Sequence, residues 1–248
     1  MVVVNDLTQT IQDYSELGFN VKIGGEHAHR GSHNALITFQ DGSYVELIAF
    51  RREPADKDNH WWEFLQAGEG LVDYALNAED LPAELHRLKA QGMAVSGPTD
   101  GGRIRPDGIR LAWRVGRVRA DGAGHLPFII DDVTEHELRV PRGDAAIHPN
   151  GVTGIESITV AVPSRAAATP AYQSLLGEPE GDPARFTIGP HLVQLTDAAA
   201  PDPDVSQFIT QRGSGPYRVT FRRGGAAQTA APVSLDPSLT HFARLSIV

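Results

Sequence analysis

Cysteine is missing altogether from the 248 residues of this chain. That excludes a disulfide framework, a thiolate nucleophile and a cysteine metal site, so any metal would have to be held by His, Asp, Glu or water. Basic residues are short as well: the formal charge is −9, and the arginines are scattered among acids. Tracking a nucleic-acid backbone needs a clustered basic surface, so that class is excluded, while a small organic anion at a local arginine is not. No apolar run approaches transmembrane length, and Met1–Asp6 lacks the basic, apolar and cleavage regions of a signal peptide. The expectation is a cytoplasmic protein with no membrane partner. There is no Gly-x-Ser-x-Gly elbow on which to argue a serine triad. The glycine pair of Asp100-Gly101-Gly102-Arg103 has no Lys-Ser/Thr after it and leads into a strand, which excludes a phosphate loop.

What is there suits an ordinary globular core, with 41% hydrophobic and 21% charged residues in a length that fits one large domain or two small ones. The clearest local element is a hairpin over His33–Phe50. Asp41-Gly42 tolerates the positive φ of a two-residue turn, and β-formers flank it on both sides. With Gln40 opposite Ser43, Ile37 falls opposite Glu46 and His33 opposite Phe50. His33, Ala35, Ile37 and Phe39 then share a face with Tyr44, Glu46, Ile48 and Phe50, while Leu36, Val45 and Leu47 take the other. Two largely apolar faces predict a sheet covered by helices on one side and lining a cavity on the other. Glu46 is the anomaly, because a carboxylate in the middle of such a strand costs several kcal/mol to bury unless it is paired, hydrogen-bonded or metal-bound.

Three segments repeat a strand followed by a helix: Val2–Gly18, Val72–Gly92 and Ile155–Gly177. Asp6, Asp80 and Ser164 fall at the helix N-caps, and Gly18, Gly92 and Gly177 at the stops. Apolar residues at helical spacing, such as Leu81, Leu85 and Leu88, fill the helices. Strands follow each helix, so the fold class is α+β: two β-α-β-β-β units in succession, then a partial third copy. Gly24–Gly31 reads as a rim loop in which His27 and His29 are solvated, and Gly224–Pro237 as another loop.

His33-Asn34-Ala35-Leu36, Tyr44-Val45-Glu46-Leu47-Ile48, Gly68-Glu69-Gly70-Leu71, Arg105-Pro106-Asp107-Gly108, Leu126-Pro127-Phe128 and His148-Pro149-Asn150-Gly151, in that order, resemble the vicinal oxygen chelate superfamily and, within it, glyoxalase-like domain proteins. The likeness covers roughly the first 150 residues well and the rest as a weaker half-copy. It implies a cup over residues 1–140, built from modules at 1–50 and 71–132 that pair into one curved mixed sheet, with a degenerate module over 152–248. It also implies lyase or isomerase chemistry on a small oxygenated metabolite, or, in the alternative, a metal-free protein that binds an aromatic or drug-like molecule. Metal-dependent members take His or Glu ligands from the first and fourth strand of each unit, and the ion polarises a substrate with two neighbouring oxygens.

Laid on this sequence, the first-strand position lies seven residues before each N-cap: upstream of Met1 in the first unit, at Asp73 in the second and at Ser157 in the third. The fourth-strand positions are Glu46, then Asp131 or Asp132, then Gln194. Glu46, Asp73 and Asp131 would suit Mg²⁺ or Mn²⁺ better than Zn²⁺, and no metal at all stands as an equal alternative. Glu46 and His33 are the catalytic candidates, set roughly 13 Å apart at about 3.3 Å per residue. Asn34, Trp61, Trp62, Trp113 and Arg114 are the candidates for contacting a small-molecule ligand. Several have a plainer reading beside them: Glu46 paired with an arginine such as Arg110 or Arg114, Asp73 hydrogen-bonded at a strand start, His33 a satisfied edge histidine, Trp61 and Trp62 packing. The third unit would cover the open side of the cup or form a homodimer contact.

Overall fold

A computed structural model describes residues 1–27, 31–53, 59–225 and 232–248. The first unit runs β1 (Val2–Val4), α1 (Leu7–Glu16), β2 (Lys22–His27), β3 (Ser32–Thr38) and β4 (Tyr44–Phe50). A short helix α2 (His60–Gln66) and β5 (Gly70–Leu71) lead to the second unit: β6 (Ala75–Asn77), α3 (Leu81–Ala90), β7 (Ala94–Ile104), β8 (Arg110–Arg119) and β9 (Phe128–Asp132). After α4 (His136–Arg139) and a 3₁₀ turn at Gly143–Ala146 come β10 (Val152–Ala161), α5 (Arg165–Leu176), β11 (Arg185–Ile188) and β12 (His191–Thr196). The chain ends with α6 (Pro203–Arg212), β13 (Gly215–Arg223), β14 (Val233–Ser234) and β15 (Leu245–Ile247). No helix among the described residues is long and apolar enough to cross a membrane.

The caps form where the sequence places them. Asp6 accepts from the backbone N–H of Thr8 and Gln9, Asp80 from Ala83 and Ser164 from Ala167. Both units join in one nine-stranded sheet ordered β5-β1-β4-β3-β2-β7-β8-β9-β6, with β1 parallel to β4 and β6 parallel to β9. In each unit the helix covers the outer face; Leu81, Leu85 and Leu88 of α3, for example, pack on Val118 and Ile129. The inner face is left for a cavity. The third copy forms a separate six-stranded sheet, β11-β12-β10-β13-β15-β14, in which β13 is antiparallel to β10. The α6 helix before β13 was not expected from the sequence.

The hairpin register differs by one residue from expectation. The β3–β4 loop has three residues, Gln40-Asp41-Gly42, and closes with the Phe39 N–H donating to the Ser43 carbonyl at 2.9 Å. Gly42 takes the left-handed conformation at φ 86°. Leu36 therefore faces Glu46, Ile37 faces Val45 and His33 faces Ala49. Since side chains alternate, this slip moves His33, Ala35, Ile37 and Phe39 to the helix-covered side and puts Asn34 and Leu36 beside Glu46.

A second departure lies in Gly24–Gly31, read as a loop. Strand β2 continues to His27, with a register shift between Ile23 and Gly25 that lets an extra residue in against β3. His29 lies outside the described residues. In Gly224–Pro237 residues 226–231 lie outside them too, and Val233–Ser234 pairs with β15.

Candidate functional site

Inside the cup is a cavity of about 290 Å³. Trp61, Trp113, Phe128, Ile130 and Leu36 give it apolar walls, and Glu46, His27, Asn34, Arg103 and Arg117 supply its polar groups. Each strand delivers alternate residues to it: Asn34 and Leu36 from β3, Tyr44 and Glu46 from β4, Trp113, Val115 and Arg117 from β8. Trp61 enters from α2, whose N-cap Asn59 accepts from the Trp62 N–H.

At the centre is a relay of hydrogen bonds. Arg103, only 4% exposed, donates from Nη1 to Asn34 Oδ1 at 3.1 Å, and Asn34 Nδ2 donates to Glu46 Oε1 at 2.7 Å. His27 Nε2 stands 3.5 Å from the same oxygen, long for a hydrogen bond, while its Nδ1 lies 3.0 Å from Ser32 Oγ. Burial alone would raise the Glu46 pKa. The contacts with His27 and Asn34 and the charge of Arg103 outweigh it and hold the carboxyl down to about 2. Arg103 is fixed from behind by donating to the Arg139 carbonyl, and Arg139 in turn donates to Asp132 and to the Tyr44 hydroxyl.

Of the residues expected at the site, Glu46, Asn34, Trp61 and Trp113 meet in this cavity. The others do not. His33 stands on the outer face in a surface groove with Ile23, Glu26, Arg51 and Ile104, a consequence of the one-residue slip. Arg114 and Asp131 are paired across β8 and β9, bonded to each other on the face that α3 covers, where the Leu81 N–H also reaches Asp131. Of the two fourth-strand registers, it is Asp132 that shares the inner side. Trp62 packs edge-on against Phe50, with ring centroids 5.3 Å apart. The arginine that compensates Glu46 is Arg103 rather than Arg110 or Arg114.

Asp73 is buried and already engaged. It accepts from the Trp61 indole at 2.9 Å, with His125 at 3.0 Å and His60 at 3.3 Å. Burial raises its pKa, but the His125 and His60 hydrogen bonds prevail and hold it well below the usual carboxylate range. Among the described residues no three His, Asp or Glu side chains are grouped so as to hold a metal ion. Asp131 is on the wrong face, Asp73 is bonded elsewhere, and the Arg103 guanidinium already supplies the positive charge beside Glu46. The donor set does not fit a resident divalent cation.

Three members of the site were not singled out from the sequence as site residues: Arg103, Arg117 and His27, the last read as solvated. Two glycines carried a signal. A Cβ at Gly24 would lie 2.1 Å from Asn34 Oδ1, and one at Gly101 would lie 2.3 Å from Trp113 Nε1. Both positions are bare because a site side chain lies across them.

A family model described as a glyoxalase-like domain matches residues 1–176. Among solved structures the chain is similar to a hypothetical protein from Staphylococcus aureus, at 14% identity and a TM-score of 0.74, over 100% of this chain and 97% of that one. It is also similar to a mutant of 4-hydroxymandelate synthase from Streptomyces coelicolor, at 13% identity and a TM-score of 0.57, over 89% of this chain and 68% of that one. Identities this low speak to the fold alone. No curated protein matches the sequence.

Proposed function

The chain belongs to the glyoxalase-like domain family, and we propose that its cup binds a small organic anion carrying a carbonyl and moves a proton on the neighbouring carbon, as a lyase or isomerase does. The observation that carries this reading is the ionised, buried Glu46 beside His27 in an otherwise apolar-walled cavity. A carboxylate held this acidic is a poor base near neutral pH. Its part is to steady the imidazolium that forms when His27 Nε2 takes a proton from the ligand. Arg117 is ion-paired with Asp73 at 3.7 Å and lies over the Trp61 and Phe128 rings, and being 40% exposed it still has N–H groups to offer the ligand carboxylate and the developing enolate oxygen. Trp61 and Trp113 shield the reacting carbon from water.

The second reading, a binding protein without catalysis, is favoured by the continuity of the Arg103–Asn34–Glu46 relay, which suits rigid recognition. Incubating the protein with 2-oxobutanoate in D₂O and following the C3 protons by NMR separates the two. The expected result is protein-dependent exchange, lowered at least about 100-fold in Glu46→Gln and His27→Asn. Arg117→Gln should weaken binding about tenfold, the loss of roughly one charge-assisted hydrogen bond. Binding with no exchange above the buffer rate would assign the protein to the second reading, and absence of binding would end both.

A further inference from the structure

A second cavity, of about 350 Å³, lies where the two edges of the nine-stranded sheet approach each other under the six-stranded sheet. Its inner wall is the outer wall of the first: Tyr44, Glu46, Phe128, Ile130 and Arg139 line both. The rest of its lining differs in kind. The third unit contributes mainly aliphatic side chains, Ile155, Ile158, Ile188, Leu192, Val193 and Val219, with His191 among them. The third unit also offers Ser157 and Gln194 where a catalytic cup of its own would need ligands.

We infer that the two cavities are the two halves of one ligand site, and that the ligand is an amphiphile: an oxygenated acidic head in the cup and an aliphatic chain running past the Tyr44–Arg139 pair into the second cavity. This rests on the cup being an anion site. In the partition between the halves Arg139 Nη1 donates to the Tyr44 hydroxyl at 2.6 Å, and since Arg139 is held by its two bonds to Asp132, a rotamer change of Tyr44 is what admits the chain. Open-chain aliphatic groups fit the third-unit side of this cavity best, where branched side chains predominate, while Asp73, Tyr74 and His136 line it on the side of the second unit. On this view the third unit is retained as the wall that sets chain length.

The test is calorimetric titration of the full protein with straight-chain carboxylates from butanoate to dodecanoate, below their micellar concentrations, beside the matching alkanols. Affinity for the carboxylates is expected to rise about fourfold per methylene, from about 0.8 kcal/mol per buried CH₂, until the cavity is full. Filling the cavity with Leu192→Trp or, separately, Ile188→Trp should stop that rise at a shorter chain while butanoate binds as before, with melting curves confirming the fold of each. An affinity flat from butanoate onward, or an unchanged series in both folded variants, overturns the inference and leaves the cup reading intact. Equal affinities of alkanols and carboxylates would overturn the anion reading of the cup while the chain-length dependence stood.

Discussion

Asn34 is where the electrostatics of the cup are settled, because its amide faces a cation with its oxygen and an anion with its nitrogen. That single side chain lets Arg103 and Glu46 remain charged in a buried place without touching. A Glu46 carboxyl held at about 2 instead of 4.5 ties stability to pH. The folded-state pKa is depressed, so the unfolded chain binds more protons between those values. The contribution is fully present above about pH 4.5 and disappears as pH falls toward about 2, and it amounts to roughly 3 kcal/mol. Glu46→Gln keeps an acceptor for Asn34 but leaves Arg103 uncompensated. It should lose about 1–3 kcal/mol near neutral pH and progressively less as the solution is acidified, a trend that urea denaturation at several pH values reads directly. The sequence marked Glu46 because a carboxylate between Val45 and Leu47 needs an explanation. It could not mark Arg103, whose partner Asn34 is distant in the chain and whose place depends on how β2 and β7 meet.

At the scale of the element, the β3–β4 hairpin shows why a strand can be legible while its facing is not. Leu36 and Ile37, like Val45 and Ile48, make both faces apolar, so alternation does not choose between registers one residue apart. The loop chooses, and Asp41-Gly42 fits two loop lengths. Asp41 decides for the longer one by accepting from the Ser43 N–H at 2.9 Å and the Ser43 hydroxyl at 2.6 Å. Gly42 alone supplies the left-handed residue. Gly42→Ala should therefore cost about 1–2 kcal/mol in chemical denaturation, since the new Cβ meets only the half-exposed Arg142 guanidinium at 3.2 Å and the expense is conformational. The helix caps were legible because they are local: an Asp or Ser before an apolar period has one reading. His27 was hidden for the opposite reason. The Gly24-Gly25 pair looks like a loop until β7 is placed beside it, and a Cβ on Gly25 would lie 2.0 Å from the Ile104 carbonyl oxygen.

Across the whole molecule the three units share their interiors. Leu7 and Tyr14 of α1, Ile37 and Leu47 of the first sheet, and Ile155, Phe221 and Leu245 of the second form one buried cluster. His241 fastens the chain's end to this body, with Nε2 2.9 Å from Asp13 and Nδ1 2.9 Å from Glu69, and Leu175 of α5 packs with Leu85 and Leu88 of α3. The third copy was legible as a repeat in the sequence, but its attachment was not, because the apolar residues that join the sheets read equally well as its own core. A shared interior predicts a single cooperative transition in calorimetry, with calorimetric and van't Hoff enthalpies equal; two separable transitions would mean that the units fold independently. The claim on which the rest depends is that ligand enters the cup beside Glu46, and proton–nitrogen NMR of the histidine rings during titration with 2-oxobutanoate tests it most directly. The His27 ring signals should shift saturably, while those of His148 and His241, buried outside the cup, stay where they are. A His27 ring that does not respond while the ligand binds elsewhere would contradict the account.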